Sequence, residues 1–185
     1  MDHELILQLK RYEQLCNVYA VDDILDMFTH DGCIVVAGIA YCGRDTLRGA
    51  HDFDRGNRSQ VHFSHFTLDE ADSNVVHCAF DMSDEMDRMA GIDGWHMTAE
   101  FTFVDGQIQR FLGLAPEMAE VERHQRAKRP FQEWAWRTCP NEWAKAFAFR
   151  PDKGFAGFNF ELGALRTTLA HAWRDSLQQA VMAMA

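Results

Sequence analysis

Two neighbouring stretches, QVHFSHFTL at residues 60–68 and VVHCAFDM at 75–82, hold the histidines best placed to do chemistry. If His62 and His77 faced one cavity, they could divide acid and base work on an enolisable substrate, because each titrates near neutral pH. Asp81, four residues beyond His77, could then orient a histidine or act as the base. Each also has a plainer reading as a strand residue bonded to a neighbour or facing solvent. Alternation sets His77, Ala79 and Asp81 on one face and Val76, Cys78, Phe80 and Met82 on the other. The more apolar face is expected to turn inward, which counts against His77 and Asp81. Tyr12 could donate a hydrogen bond into a pocket or be a core tyrosine with its hydroxyl at the rim. Arg110 could pair with a buried acid or clamp a substrate anion.

The elements that must position these groups are organised around residues 95–114, WHMTAEFTFVDGQIQRFLGL. Two alternating runs joined by Asp105-Gly106 predict a β-hairpin with a two-residue primed turn. That turn sets Val104 opposite Gln107, Phe103 opposite Ile108, Phe101 opposite Arg110 and Ala99 opposite Leu112. Trp95, Met97, Ala99, Phe101 and Phe103 share an apolar face with Arg110 at its edge. Met97, Phe101 and Phe103 are candidate pocket residues, being core, substrate contacts or both. His96 and Glu100 fall on the polar face, expected to be solvated or at an interface.

Upstream, Leu5, Leu9 and Tyr12 recur at helical spacing, so residues 4–19 read as an amphipathic helix. Residues 21–28 read as a second helix ended by His30-Asp31-Gly32, and 33–39 as a short strand. A third helix runs from 46 to about 53 with Asp45 as its cap. Residues 54–59 and 83–94 read as loops around the strands at 60–68 and 75–82. The order α-α-β-α-β-β-β-β implies an α+β fold: a curved, mostly antiparallel sheet under three N-terminal helices, enclosing a pocket.

After Pro116 the pattern changes. Residues 1–116 carry 8 Lys and Arg against 20 Asp and Glu, whereas 117–185 carry 10 against 8. This shift predicts a core domain over 1–116 and a helical extension over 117–185. In the extension, Pro130 and Pro140 interrupt a helix that begins at 117. Trp134, Trp136, Trp143, Phe147 and Phe149 follow, then a Gly-Phe loop at 154–163 and a closing helix at 165–182. So many aromatic rings must bury on the sheet, at the pocket mouth or on a second subunit.

Composition narrows the function classes. A net charge of −10 argues against nucleic acid as a partner, because phosphate binding needs clustered positive charge. The basic run RHQRAKR at 123–129 is the local exception and reads as a solvated helix face. With no unbroken apolar stretch of about 18 residues, no membrane span is expected, and the acidic amphipathic start is unlike a signal peptide. A cytoplasmic protein is therefore expected. Five cysteines without a CxxC pair are read as buried free thiols, and no spacing suggests a metal site. There is no nucleotide loop, nucleophile elbow or cofactor fingerprint, so no cofactor is expected.

The order of elements, with RYEQLCNVYAVDDILDMFTHDGCIVV, GRDTLRGAHDF and FTFVDGQI, resembles the nuclear transport factor 2-like superfamily over residues 4–114. Within it, the resemblance is to SnoaL-like polyketide cyclases, ketosteroid isomerases and scytalone dehydratases. It implies a cone-shaped α+β barrel with a hydrophobic cavity. Tyr12 resembles the isomerases' oxyanion-hole tyrosine, while the isomerase acids fall near Val36 and Ala99 and are missing. His62-Phe63 resembles the dehydratase His-Phe pair, and His77 lies near its second histidine. The dehydratase Tyr-Asp pair is replaced by Cys16-Asn17. The resemblance also implies a sheet bulge that turns Arg110 outward.

The function expected from these readings is cyclase, dehydratase or isomerase chemistry on a hydrophobic oxygenated small molecule. His62, with His77 or Asp81, would move a proton while Tyr12 stabilises enolate charge. The alternative is a non-catalytic ligand-binding or protein-interaction module. A homodimer is expected, with the extension capping the pocket or building the dimer.

Overall fold

A computed structural model describes residues 4–36, 38–147 and 158–183. Phe149 and residues 154–157 of the expected Gly-Phe loop lie outside the described residues. The first helix, α1 (Glu4–Asn17), buries Leu5, Leu9 and Tyr12 one turn apart on a single stripe. Tyr19, with φ 57°, turns the chain into α2 (Val21–Asp26), which buries Val21, Ile24 and Leu25.

The next element begins earlier than expected: β1 (Phe28–Val36) runs straight through His30-Asp31-Gly32. Its parallel pairing with β6 (Gln107–Gly113), irregular between Phe28 and Cys33, overrides the local turn signal. Gly38, at φ 78°, lies between β1 and β2 (Ile39–Cys42), which pair antiparallel. That register sets Cys33 directly opposite Cys42, and the two form a disulfide across 4.2 Å between Cα atoms. This corrects the expectation of five free thiols. Cys16, Cys78 and Cys139 are free.

The third helix, α3 (Arg44–Asn57), is longer than the sequence suggested and starts at Gly43 (φ 81°) without a side-chain cap. Asp45 therefore lies in the first turn, near the positive end of the helix dipole, instead of capping it. The helix continues through residues 54–57 because α7 (Phe160–Ala183) packs against it. A β-carbon on Gly56 would collide with Phe160 O, and one on Gly163 with Phe53 O, so the two helices cross backbone to backbone. Thr167 Oγ1 also donates to Gly56 O at 2.8 Å.

The strands β3 (Gln60–Leu68), β4 (Val75–Ser83) and β5 (Trp95–Val104) complete a six-stranded sheet in the order β2-β1-β6-β5-β4-β3. All pairings are antiparallel except β1 with β6. The fold is thus α+β, a curved mixed sheet with helices, left open at its β2 and β3 edges. Bulges interrupt β3 between Ser64 and Thr67, where His65 has φ 54°, and the β5–β6 ladder beyond Phe103 and Ile108. Such bulges bend a strand and deepen its twist. The Asp105-Gly106 turn has φ of 49° and 78°, as a primed turn requires.

Residues 83–94 are not all loop. Asp84 and Asp87 form a reciprocal capping box that starts α4 (Glu85–Ala90). Downstream, α5 (Met118–Thr138) runs through Pro130. The proline costs one helical hydrogen bond, which the complete burial of Phe131 and Ala135 just beyond it offsets. Pro140 opens α6 (Pro140–Ala146) at its first turn, a position that needs no N–H donor.

The aromatic residues of the extension bury on one another. Phe131, Trp134, Trp143, Phe147 and Trp173 build a small second core with Met86, Leu169 and Ala170. Trp136 is left 66% exposed.

Candidate functional site

The inner side of the cone is lined by rings. Tyr12 lies edge-on to Phe28, Phe101 and Phe111 and stacks on Phe63, at centroid distances of 5.8 to 6.4 Å. Phe63 stacks in turn on Phe80 at 5.1 Å, and Phe101 on Phe111 at 4.6 Å. The cavity expected on the apolar sheet face is filled by these side chains. Of the predicted pocket residues, Phe101 and Phe103 belong to this core, and Met97 packs half-buried at its edge.

Polar groups interrupt the apolar interior along one line of α3. Leu47, His51 and Asp54 recur at i, i+4 and i+7, which puts them on one face. His51 is 5% exposed, with its ring 6.1 Å from Tyr12 and 6.4 Å from Phe28, and its Nε2 has no hydrogen-bond partner. Burial lowers its pKa to about 4, so the ring is neutral at pH 7. Asp54 interacts with Ser59, and burial pushes its carboxyl up to about 6. On α1, the Tyr12 hydroxyl and the Cys16 thiol interact one turn apart. Burial raises both well above their ordinary values, and the Asp54 charge adds to each. Asp54 escaped the sequence reading because residues 54–59 read as a loop, and His51 because it lies in the short helix read at 46–53, of which no face was assigned to the pocket. The spacing 47, 51, 54 was the available signal.

The histidines that led the sequence reading lie outside. Phe63 turns inward, so period-two alternation sends its neighbour His62 outward. There His62 Nδ1 donates to Glu13 Oε1 at 3.0 Å, and Glu13 Oε2 accepts from Phe63 N at 2.8 Å. His77 Nε2 donates to Asp69 Oδ2 at 3.0 Å, across from Glu100. Asp81, opposite both His62 and His96, accepts from His96 Nδ1 at 2.8 Å, and that bond raises the His96 pKa. His62, His77 and Asp81 therefore share the outer face of the sheet instead of one cavity.

The bulge also moves Arg110. Gln109 is the extra residue, so Arg110 pairs with Thr102 and Phe111 with Phe101, one position off the register expected from the turn. Arg110 is exposed on the outer face. The expectation that it edges the pocket is corrected, and the outward turn implied by the resemblance is what the structure has.

A second buried polar cluster joins the extension to the core. His124 is 1% exposed, stacks on Trp95 at 3.5 Å and donates from Nε2 to Gly94 O at 2.8 Å. Its Nδ1 lies 3.4 Å from Asp87 Oδ1, which also takes Lys128 Nζ at 2.5 Å. Each element there has a partner across the join: α4 through Asp87, β5 through Trp95, and α5 through His124 and Lys128.

Two open depressions lie on the surface. One of about 390 Å³ is lined by Tyr19, Asp22, Asp23, Arg48, Asp52 and Arg55, and one of about 470 Å³ lies along Glu122, Arg126 and Arg129. In the first, Arg48 pairs with Asp22 and Arg55 with Asp52. Among the described residues, no group of three or more acidic, histidine or cysteine side chains is arranged to hold a metal ion. No described helix is long and apolar enough to cross a membrane.

No family model and no curated protein matches this sequence. Solved structures do match its fold. SalBIII, an epoxide hydrolase/cyclase-like enzyme of pyran ring formation in the polyether salinomycin, aligns over 60% of this chain and 89% of its own, at 19% identity and a TM-score of 0.52. Rv0760c from Mycobacterium tuberculosis aligns over 64% and 98%, at 10% identity and a TM-score of 0.53. A computationally designed 17-OHP binder aligns over 65% and 95%, at 10% identity and a TM-score of 0.51. The chain shares the fold of these structures, a curved α+β sheet with helices, as the sequence resemblance implied.

Proposed function

We propose that the chain is a cofactor-independent acid–base enzyme of the cyclase, dehydratase or isomerase type, acting on a hydrophobic oxygenated substrate inside the cone. The observation that carries this reading is a buried phenol, Tyr12, within electrostatic reach of the Asp54 carboxyl. A phenol hydroxyl is buried among phenylalanine rings, and a carboxyl whose pKa lies near 6 adds its field to that hydroxyl. Mostly ionised at pH 7, Asp54 would take a proton from carbon and return it to another position. Tyr12 would donate a hydrogen bond to the oxygen that gains charge, in a site from which the rings exclude water. His62, His77 and Asp81, outside the cone, have no part in this step.

Fold-level likeness is compatible with this chemistry but does not select it, since the same architecture serves the cyclase-like SalBIII and the designed binder. The filled interior favours a second reading, a non-catalytic ligand-binding or interaction module. Exposed Trp136, Leu177, Val181 and Met182 would then serve a partner or a second copy.

A thermal-shift titration with phenols, quinones, enones and sterols separates the readings, because a ligand of the native state raises the melting temperature by mass action. The enzyme reading expects a saturable rise for one class, followed by turnover of that class. Tyr12→Phe and Asp54→Asn should abolish the turnover and His62→Ala should preserve it. Binding without turnover in the wild type would establish the second reading.

A further inference from the structure

We propose that Lys128 and Asp87 condense into an amide, an intramolecular cross-link that ties the C-terminal extension to the core domain, with His124 as the base. The site is the buried cluster at the join of α4, β5 and α5, and it takes no substrate from outside.

Three side chains able to move protons meet there, each more than nine-tenths buried: Asp87 and His124 are 1% exposed and Lys128 is 8% exposed. Lys128 Nζ lies 2.5 Å from Asp87 Oδ1, yet its approach is not along a hydrogen-bond direction, and among the described residues Oδ1 has no hydrogen-bond partner. The nitrogen thus rests against the carboxyl group, and Cγ, the atom it would attack, is one bond beyond Oδ1. His124 Nδ1 is 3.4 Å from the same oxygen. Because Nε2 donates to Gly94 O, Nδ1 carries the lone pair, and it too has no hydrogen-bond partner among the described residues. Burial lowers the His124 pKa, so the ring is neutral at pH 7. Trp95 covers the cluster, stacked on His124 at 3.5 Å and with its ring 5.7 Å from Lys128 Nζ. The other charged groups at the join are Asp84, which shares the capping box with Asp87, and the paired Glu120 and Arg123.

An ion pair is poorly housed in such a place. Each charge loses its hydration, and one misdirected contact does not restore it. Burial, and after it the Asp84 charge, raises the Asp87 pKa and so favours the uncharged acid. Passing one proton from the ammonium to Oδ1 leaves an amine against a carboxylic acid, already held in place for reaction. The nitrogen lone pair then bonds to Cγ while His124 Nδ1 takes a proton from Nζ. His124 returns that proton to Oδ1, the Cγ–Oδ1 bond breaks with its electron pair on oxygen, and the oxygen leaves as water. An Nζ–Cγ amide remains, nothing is oxidised or reduced, and two buried charges are gone. In the chain the bond would span β5 and β6, so α5 could not part from α4 even on unfolding.

Intact-mass spectrometry of the full chain, denatured and with its disulfide reduced, should find it one water lighter than its sequence. Proteolysis should release a branched peptide joining residue 87 to residue 128, with no tryptic cut after Lys128. Lys128→Met should have its full sequence mass. Asp87→Asn should lose one ammonia in place of water and give the same amide. A wild type still at full sequence mass after prolonged incubation at neutral pH overturns the proposal, whether or not any variant folds. So does a missing water confined to Asp87 with Lys128 open to trypsin and to amine labelling, the signature of a succinimide. His124→Gln should leave much of the freshly purified chain uncross-linked, and complete cross-linking there overturns the role of His124.

Discussion

Asn17 grips both backbone polar groups of Val61: its Oδ1 accepts from Val61 N at 2.8 Å and its Nδ2 donates to Val61 O at 2.9 Å. One side chain thus does what a neighbouring strand would do for β3, the outermost strand on that side of the sheet. Glu13, one turn earlier, serves Phe63 N in the same way. An unpaired edge invites pairing with other chains, and α1 closes this one. Asn17→Ala should destabilise the fold by about 1–3 kcal/mol in urea denaturation and speed aggregation near the midpoint. An unchanged midpoint would mean that water replaces the side chain without loss.

The acid limb of stability should belong largely to His51. Its folded pKa, near 4, lies below the unfolded value of 6.5, so its contribution is complete above pH 6.5 and is lost as pH falls toward 4. The full loss is roughly 3 kcal/mol. His124 is shifted in the same direction by burial. Asp54 acts oppositely: its pKa is raised to about 6, so its contribution is present below pH 3.8 and lost as pH rises through 6. Denaturation at pH 7.5, 5.5 and 4.5 should therefore show a fall that His51→Leu flattens and Asp54→Asn steepens. A His51→Leu profile parallel to the wild type would refute the assignment.

Changes on the outer face should be mild. His62 is 63% exposed in its pair with Glu13, and exposed pairs contribute at most about 1 kcal/mol. His62→Ala should move the unfolding midpoint little and leave any ligand response of the cone intact. Loss of that response would return His62 to the site.

The Cys33–Cys42 bond bears on where the protein works, because disulfides persist in oxidising compartments and are rare in a reducing cytoplasm. Peptide mapping of alkylated whole-cell extract should recover the two cysteines as one cross-linked pair if the compartment is oxidising. Alkylation of both would indicate a reducing compartment.

Legibility in the sequence followed locality. The hairpin turn at Asp105-Gly106, the stripe of Leu5, Leu9 and Tyr12, and the alternation in β3 and β4 are local patterns, and they were enough to indicate the fold. What escaped depended on distant chain. Residues 54–57 are helical because Gly163 crosses them, β1 extends because β6 pairs with it, and Arg110 moves because Gln109 bulges. At the candidate site, Tyr12 could be found from its stripe. The histidines drew notice by residue type, yet the alternation around Phe63 and Phe80 already pointed them outward. His51 lay within the helix read at 46–53, but the ring it packs beside, Tyr12, comes from α1, a contact no local pattern reveals.

The crossing of α3 and α7 at Gly56 and Gly163 acts as a fixed gauge. Where side chains separate two helices, a substitution can be absorbed by repacking; with backbone against backbone there is no slack to absorb it. Alanine at either position should cost roughly 3 kcal/mol, read as a lowered unfolding midpoint. Because His51 and Asp54 ride on α3, a change confined to the C-terminal helix would be felt at the inner end of the ring stack. Function and extension would then fail together, though no residue of α7 need ever touch a ligand.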